Sequence, residues 1–236
     1  MNEQQDIQKE QKRIHNLVSK KFSDYYLTGG TALAFYYDHR FSEDLDFFSQ
    51  KYNSRNTEKI MQMISKTTGY EHKLVFEQKD SKFLPLRMYE LELKKGMKLK
   101  VDMVQDPYQN IEPIKNGMHS VEDIYYRKVQ IALNPLHVKK DDTGRNVSRG
   151  RQQAKDIYDI YYLSENYKNL GEFYLEHFPP QYFHRLNSWY RSLDKMDMIF
   201  DLKDMILHAD PKKVFRELDE QIIRQLSHHP AIQRQE

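Results

Sequence analysis

Tyr25-Tyr26-Leu27-Thr28-Gly29-Gly30-Thr31-Ala32-Leu33-Ala34, and further on Asp44-Leu45-Asp46-Phe47-Phe48, are the stretches on which the fold turns. The first opens as a short β-prone run, breaks at two glycines and resumes through Tyr37 with helix-compatible residues. The second is short, aromatic and strand-like, so together they read as strand, glycine turn, helix, strand. Alternation along the second strand puts Asp44 and Asp46 on one face and turns Leu45 to the other. This is the only Asp-x-Asp in the chain. Two carboxylates on one face can share divalent ions; the plain alternative is a solvated strand edge. The glycine pair has two readings of its own. It is either a simple tight turn or a place where backbone N–H groups at a helix start approach a phosphate.

Working outward, residues 4–22 read as a mostly polar helix. Ile60, Met63, Ile64 and Thr67 mark one face of a helix over 55–68 that Gly69 ends. Strands are expected at Lys73 to Glu77, Leu86 to Leu93 and Met97 to Val104, the last two joined as a hairpin through Lys94-Lys95-Gly96. In the final strand Leu99, Val101 and Met103 alternate with Lys98, Lys100 and Asp102. Asp102 therefore leaves on the polar face and is a third acid, provided its strand lies beside that of Asp44. Three converging carboxylates suit a hard, oxygen-binding cation and the two-metal clamp of phosphoryl and nucleotidyl transfer. Glu90 and Glu92 are weaker competitors, since no aromatic-flanked apolar strand presents them.

From about Ser120 the period becomes helical: Val121 to Leu133, Gln152 to Leu163, Gln181 to Leu193, Lys195 to Leu207 and Pro211 to Leu226. Asp210 can cap the last, Pro211 suits its first position, and Val214, Leu218, Ile222 and Leu226 form its stripe. Pro107, Pro113 and Gly117 interrupt the pattern between the halves. The expected class is α+β: a mixed-sheet lobe with flanking helices over residues 1–115, then a helical lobe over 116–236.

The chain's 236 residues can bury a sizeable core. With no cysteine, disulfide frameworks, thiolate metal sites and cysteine nucleophiles are excluded. The polar start MNEQQDIQKEQKRIH is unlike a signal peptide and no run suits a membrane span, so the expected location is cytoplasmic. Thirty-seven basic against 35 acidic residues nearly cancel. Locally they do not. Residues 127–155 hold Arg127, Lys128, Lys139, Lys140, Arg145, Arg149, Arg151 and Lys155 against Asp141 and Asp142. Gly144, Asn146, Ser148 and Gly150 give that stretch the composition of a mobile loop, which either follows an RNA backbone or is solvated surface. Tyrosines such as Tyr125-Tyr126 and Tyr161-Tyr162 either stack on bases or fill the core.

Tyr26-Leu27-Thr28-Gly29-Gly30-Thr31-Ala32-Leu33 followed by Arg40-Phe41-Ser42-Glu43-Asp44-Leu45-Asp46-Phe47 resembles the signature of the AbiEii/AbiGii toxin-type nucleotidyltransferases, within the DNA polymerase β-like superfamily. Lys128 and Lys155-Asp156-Ile157-Tyr158-Asp159-Ile160 are similar to the family's later motifs, and the likeness spans residues 25–165. Gly30 departs from the wider superfamily, where many members carry serine. The resemblance implies that Asp44 and Asp46 hold two Mg²⁺ ions and that Asp102 joins the one activating an attacking hydroxyl. It further implies that Gly29, Gly30 and Thr31 cradle the outer phosphates of an NTP, and that Lys128 meets the triphosphate. Asp156 either orients Lys128 or Lys155 or belongs to an exposed helix surface. Arg40 and Ser42 either position the acidic strand and touch substrate, or Arg40 makes a structural ion pair. The implied activity is NMP transfer from an NTP to an acceptor hydroxyl, by the toxin of a toxin–antitoxin or phage-defence pair with a cognate antitoxin as partner, acting on tRNA 3′ ends. A protein side chain or a small molecule is the alternative acceptor, and a non-catalytic nucleotide- or RNA-binding module of the same fold is the alternative class.

Overall fold

A computed structural model describes residues 3–133, 137–140, 146–149, 152–206 and 210–234, with backbone placement alone for 137–140, 146–149 and 204. The chain divides into two units, Met1–Ile124 and Tyr125–Glu236.

The first unit is α+β. Helix α1 (Glu3–Lys21) leads into strand β1 (Tyr26–Thr28), helix α2 (Gly29–Tyr37), strand β2 (Leu45–Ser49), helix α3 (Ser54–Thr68) and strands β3 (Glu71–Glu77), β4 (Leu86–Glu92) and β5 (Lys98–Gln105). The five strands form one sheet in the order β1-β2-β5-β4-β3. Pairing is antiparallel except between β2 and β5, which run parallel. That topology supplies the adjacency that the sequence pattern left conditional, because the Asp102 strand is the direct neighbour of the Asp46 strand. Leu45 and Phe47 of β2 and Leu99, Val101 and Met103 of β5 are fully buried, so alternation leaves Asp46, Lys100 and Asp102 on the opposite face. Ile60, Met61 and Ile64 of α3 and Ile14 and Val18 of α1 are buried as well. The turn between β4 and β5 is a 3-10 turn over Lys94–Gly96, as its Lys-Lys-Gly sequence suggests. The segment at 117–119 runs along the outer side of β1: Leu27 N donates to the Gly117 carbonyl (2.8 Å) and His119 N to that of Leu27 (3.0 Å). Covering the edge this way satisfies backbone groups that would otherwise be open.

Helix α4 (Val121–Leu133) carries the chain into the second unit, which continues with strands β6 (His137–Lys140) and β7 (Asn146–Arg149), helices α5 (Ala154–Asn166), α6 (Leu170–His177), α7 (Phe183–Arg191), α8 (Lys195–Met205) and α9 (Pro211–Leu218), and the short α10 (Pro230–Gln233). Helices α6 and α10 lie where the sequence pattern named none, and two further features depart from the sequence reading. The basic stretch expected as a loop contains the antiparallel pair β6 and β7, while Gly144, Arg145, Gly150, Arg151, Asp141 and Asp142 lie outside the described residues. The final helix changes hand-over-hand spacing: after α9 the chain widens to a π-helix over Asp219–Gln225 and tightens to a 3-10 turn at Leu226–His228. Its stripe explains this. Val214, Leu218, Ile222 and Leu226 recur every fourth residue, a period that drifts off a 3.6-residue face, and a wider turn returns Ile222 and Leu226 to the core. Asp210 caps α9 as expected, accepting from Lys212 N at 2.9 Å. Among the described residues no helix is long and apolar enough to cross a membrane.

Candidate active site

β2 and β5 place the acids by register. Asp46 stands opposite Thr28 on β1 and opposite Asp102 on β5, so three side chains on one face form a row across three strands. Asp44 lies at the residue before β2 begins. Lys100, two residues before Asp102, points the same way, with Nζ 2.8 Å from Asp102 Oδ2 and 3.9 Å from Asp44 Oδ2. Burial pulls this ammonium's pKa down. The hydrogen bond to Asp102 and the charges of Asp102, Asp44 and Asp46 more than reverse that, holding it above the ordinary lysine value. Asp44 and Asp102 therefore share one cation, and Asp46 stands opposite Asp102 in the sheet. Glu90, the competitor, instead holds Lys98 (2.8 Å).

The glycine turn closes on this row. Gly29 has φ +70, and a Cβ built on it would lie 3.2 Å from Asp46 Oδ2, so a side chain there would be strained by backbone and crowded by the carboxylate. A Cβ on Gly30 would lie 2.4 Å from Arg40 Nη2 and 3.2 Å from Ser42 Oγ. The space beside Gly30, where a serine would project, is filled by the Arg40 guanidinium. Arg40 is 7% exposed and donates to its neighbour's carbonyl, Phe41 O, at 3.0 Å. Thr31 is buried; its hydroxyl lies 2.8 Å from Ser42 Oγ and donates to the Asp44 carbonyl. Its hydroxyl thus braces the approach to β2, and any phosphate cradle at Gly29, Gly30 and Thr31 is made of backbone.

Two supports escaped the sequence reading. Gln11 of α1 is 1% exposed and its Nε2 donates to the carbonyls of Ser42 (2.8 Å) and Asp44 (3.3 Å). The signal was present, since Gln11 starts the buried face that Ile14, His15 and Val18 continue. On the other side of the row, His119 is fully buried between Asn110 and Thr28. With Nε2 donating to Asn110 Oδ1 (3.1 Å), Nδ1 accepts the Thr28 hydroxyl at 2.7 Å. Its ring also packs on Tyr26 at 4.5 Å, and Tyr26 donates to Asp106 Oδ2 at 2.8 Å. Thr28, the residue opposite Asp46, is fixed by this network.

In the second unit, Lys128 of α4 sits between two carboxylates of α5: Nζ is 2.6 Å from Asp156 Oδ1 and 2.7 Å from Asp159 Oδ2. Lys128 is 9% exposed and both acids are buried. Of the alternatives for Asp156, the exposed surface is excluded and Lys128 is its partner. Tyr125 and Tyr161 belong to the core, Tyr125 stacking on Phe173 at 3.9 Å. Side chains of 137–151, which include five of the eight basic residues, are outside the described set.

Could the row hold metal ions? Its donors are all carboxylate oxygens, the chemistry Mg²⁺ prefers. A resident ammonium already pairs with Asp102 and Asp44, and Gly29 leaves clear the side of Asp46 that a Cβ would fill. The set fits.

A family model described as the nucleotidyl transferase AbiEii toxin of type IV toxin–antitoxin systems matches residues 15–234. Two solved structures share the fold. JHP933 from Helicobacter pylori is 19% identical with a TM-score of 0.57, covering 100% of this chain and 94% of that one. A second H. pylori protein, solved as a candidate nucleotidyltransferase, is 20% identical with a TM-score of 0.56, covering 100% and 99%. No match was found among curated proteins.

Proposed function

We propose, for a chain that belongs to the AbiEii nucleotidyl transferase toxin family of type IV toxin–antitoxin systems, that Asp44, Asp46 and Asp102 are the metal ligands of an NTP-dependent transferase. The transferred group is a nucleoside monophosphate and the acceptor is a hydroxyl at a tRNA 3′ end. One observation carries the reading: the pairing of Asp46 with Asp102 across parallel β2 and β5, with Asp44 close enough to share Lys100.

Asp44 and Asp46 would hold two Mg²⁺ ions, and Asp102 would join them at one. Bound there, Mg²⁺ supplies charge neutralisation at the α-phosphate and a lowered pKa for the acceptor hydroxyl. The protein's own part is orientation. Gln11 and Thr31 fix the backbone of Ser42 to Asp44, so the first carboxylate enters at a set position. His119 fixes Thr28, and the Gly29-Gly30 backbone at the start of α2 offers N–H groups to the outer phosphates. Lys128, which the resemblance assigns to the triphosphate, is engaged by Asp156 and Asp159 within its own unit. The basic residues of 127–155 favour a nucleic-acid acceptor over a small molecule. A cognate antitoxin is the partner the family implies.

The test is direct. The protein is incubated with Mg²⁺, each α-labelled NTP in turn and total tRNA, beside Asp46→Ala. Label on RNA from the wild type alone supports the reading. Tight NTP binding without transfer to any RNA points to a binding module, and label on protein instead replaces the acceptor.

A further inference from the structure

We infer that Lys100 is the built-in counter-ion of the acid row: its ammonium stands where a divalent cation binds, and its withdrawal from Asp102 sets how much divalent cation the site requires. The inference rests on the reading of Asp44, Asp46 and Asp102 as metal ligands and adds to it a residue that competes for the same oxygens.

The geometry is that of a stand-in ion. Lys100 Nζ is at hydrogen-bond distance from Asp102 Oδ2 (2.8 Å) and within ion-pair distance of Asp44 Oδ2 (3.9 Å), while the charge of Asp46, opposite Asp102 in the sheet, also acts on it. Without any cation, three carboxylates of like charge would crowd one face of two adjacent strands. One ammonium relieves part of that repulsion but leaves the row formally negative. A divalent ion bound to Asp102 would bring two cations to one carboxylate, so Lys100 competes with it by charge.

The side chain is suited to leaving. Lysine carries a compact charge on a flexible stem, and no planar fork ties it to one geometry. The Lys100 side chain is 38% exposed, against 13% for Asp102. It borders a groove of about 610 Å³ whose lining includes Glu43, Asp44, Glu90 and Lys98. Glu90 is the cross-strand neighbour of Lys100 on β4, already paired with Lys98. Arginine at this position would keep the charge, and methionine would keep the stem without it.

The experiment uses the full chain without nucleotide. Mn²⁺ binding is followed by loss of the free-ion electron paramagnetic resonance signal for wild type, Lys100→Met and Lys100→Arg, with Asp102→Asn as the control for the site. Thermal melts are recorded with and without Mg²⁺. The expected result is Mn²⁺ binding tighter by on the order of ten-fold in Lys100→Met, the lost competitor being a unit charge a few ångströms away, while Lys100→Arg stays near wild type. Metal-free Lys100→Met melts below wild type and gains more from Mg²⁺. Should Lys100→Met be folded only in the presence of Mg²⁺, that also supports the inference; Lys100→Gln repeats the titration with a polar stem. Unchanged or weaker Mn²⁺ binding in Lys100→Met, with wild type binding and Asp102→Asn not, overturns the role of Lys100 and leaves the metal reading standing. Absence of Mn²⁺ binding in all four proteins overturns the metal reading, and the inference with it.

Discussion

Lys128→Met is expected to destabilise the helical unit severely, for a reason that can be worked from three side chains. The Lys128 ammonium is held between Asp156 (2.6 Å) and Asp159 (2.7 Å), with 9% of the lysine exposed and the acids buried. Removing it strands two carboxylates away from water with no counter-charge. Breaking a buried ion pair from one side costs about 3–5 kcal/mol, because the remaining partner keeps its desolvation penalty. Asp156→Asn keeps the Asp159 pair and loses one charged hydrogen bond, so about 1.5–3 kcal/mol is expected. In Lys128→Met/Asp156→Asn/Asp159→Asn no charge is left buried, and part of the loss returns. Trp189, the single tryptophan, is 3% exposed inside this unit, so its fluorescence follows the unfolding of interest. For a unit of this size each kcal/mol moves Tm by roughly 4–8 °C, so Lys128→Met should melt at least ~12 °C below wild type. A Lys128→Met protein melting within about 3 °C of wild type would refute the reasoning, and so would a triple variant no more stable than the single.

Three further outcomes follow from other parts of the molecule. Asp46→Asn and Asp102→Asn should each lower nucleotidyl transfer by on the order of 10² to 10³ or more in a protein that still folds cooperatively; activity retained in either variant would remove it from the metal set. Gly30→Ser should cost about 1–3 kcal/mol because Arg40 fills the space its side chain needs. In a double-mutant cycle Gly30→Ser with Arg40→Ala should be less destabilised than the sum of the singles, and strict additivity would show that the two do not touch. His15 is buried and its pKa lies below the usual 6.5, burial outweighing the backbone groups of Gly117 and Asn116. Its folded-state pKa is thus depressed, so the unfolded chain binds the proton first; the contribution to stability is complete above about pH 6.5 and shrinks as pH falls through the folded value. Urea midpoints at high and low pH should differ more for wild type than for His15→Gln, and equal differences would exclude His15 as a source.

Much of the acid row could be read from residues alone, and the reason is periodicity. Alternation assigned Asp46 and Asp102 to the polar face because Leu45, Leu99 and Val101 had to be buried. What alternation could not supply was neighbourhood: that β2 and β5 are adjacent and parallel is a matter of topology, decided by packing across the whole sheet. Lys100 was visible only as one more polar-face residue, since its meaning depends on that adjacency. His119 and Asn110 lie in an irregular segment with no period to mark them, and they act through Thr28 across a large sequence separation. The basic stretch was read from its glycines and charges as a loop, whereas Val138 and Val147 lie in the paired strands β6 and β7. The closing helix was placed correctly at its start, where Asp210 and Pro211 are local signals. Its π-helical turn was hidden in a fourfold spacing that looked like an ordinary stripe.

The claim at the centre of this account is that Asp44, Asp46 and Asp102 hold metal ions against the Gly29-Gly30 turn. A crystal structure with Mn²⁺ and a non-hydrolysable NTP, with anomalous scattering recorded for manganese, tests it most directly. The expected map has manganese peaks ligated by Asp44 and Asp46, one of them also by Asp102, with the outer phosphates on the backbone of Gly29 and Gly30. Bound nucleotide with no manganese at these carboxylates, or manganese ligated elsewhere in the chain, would contradict it.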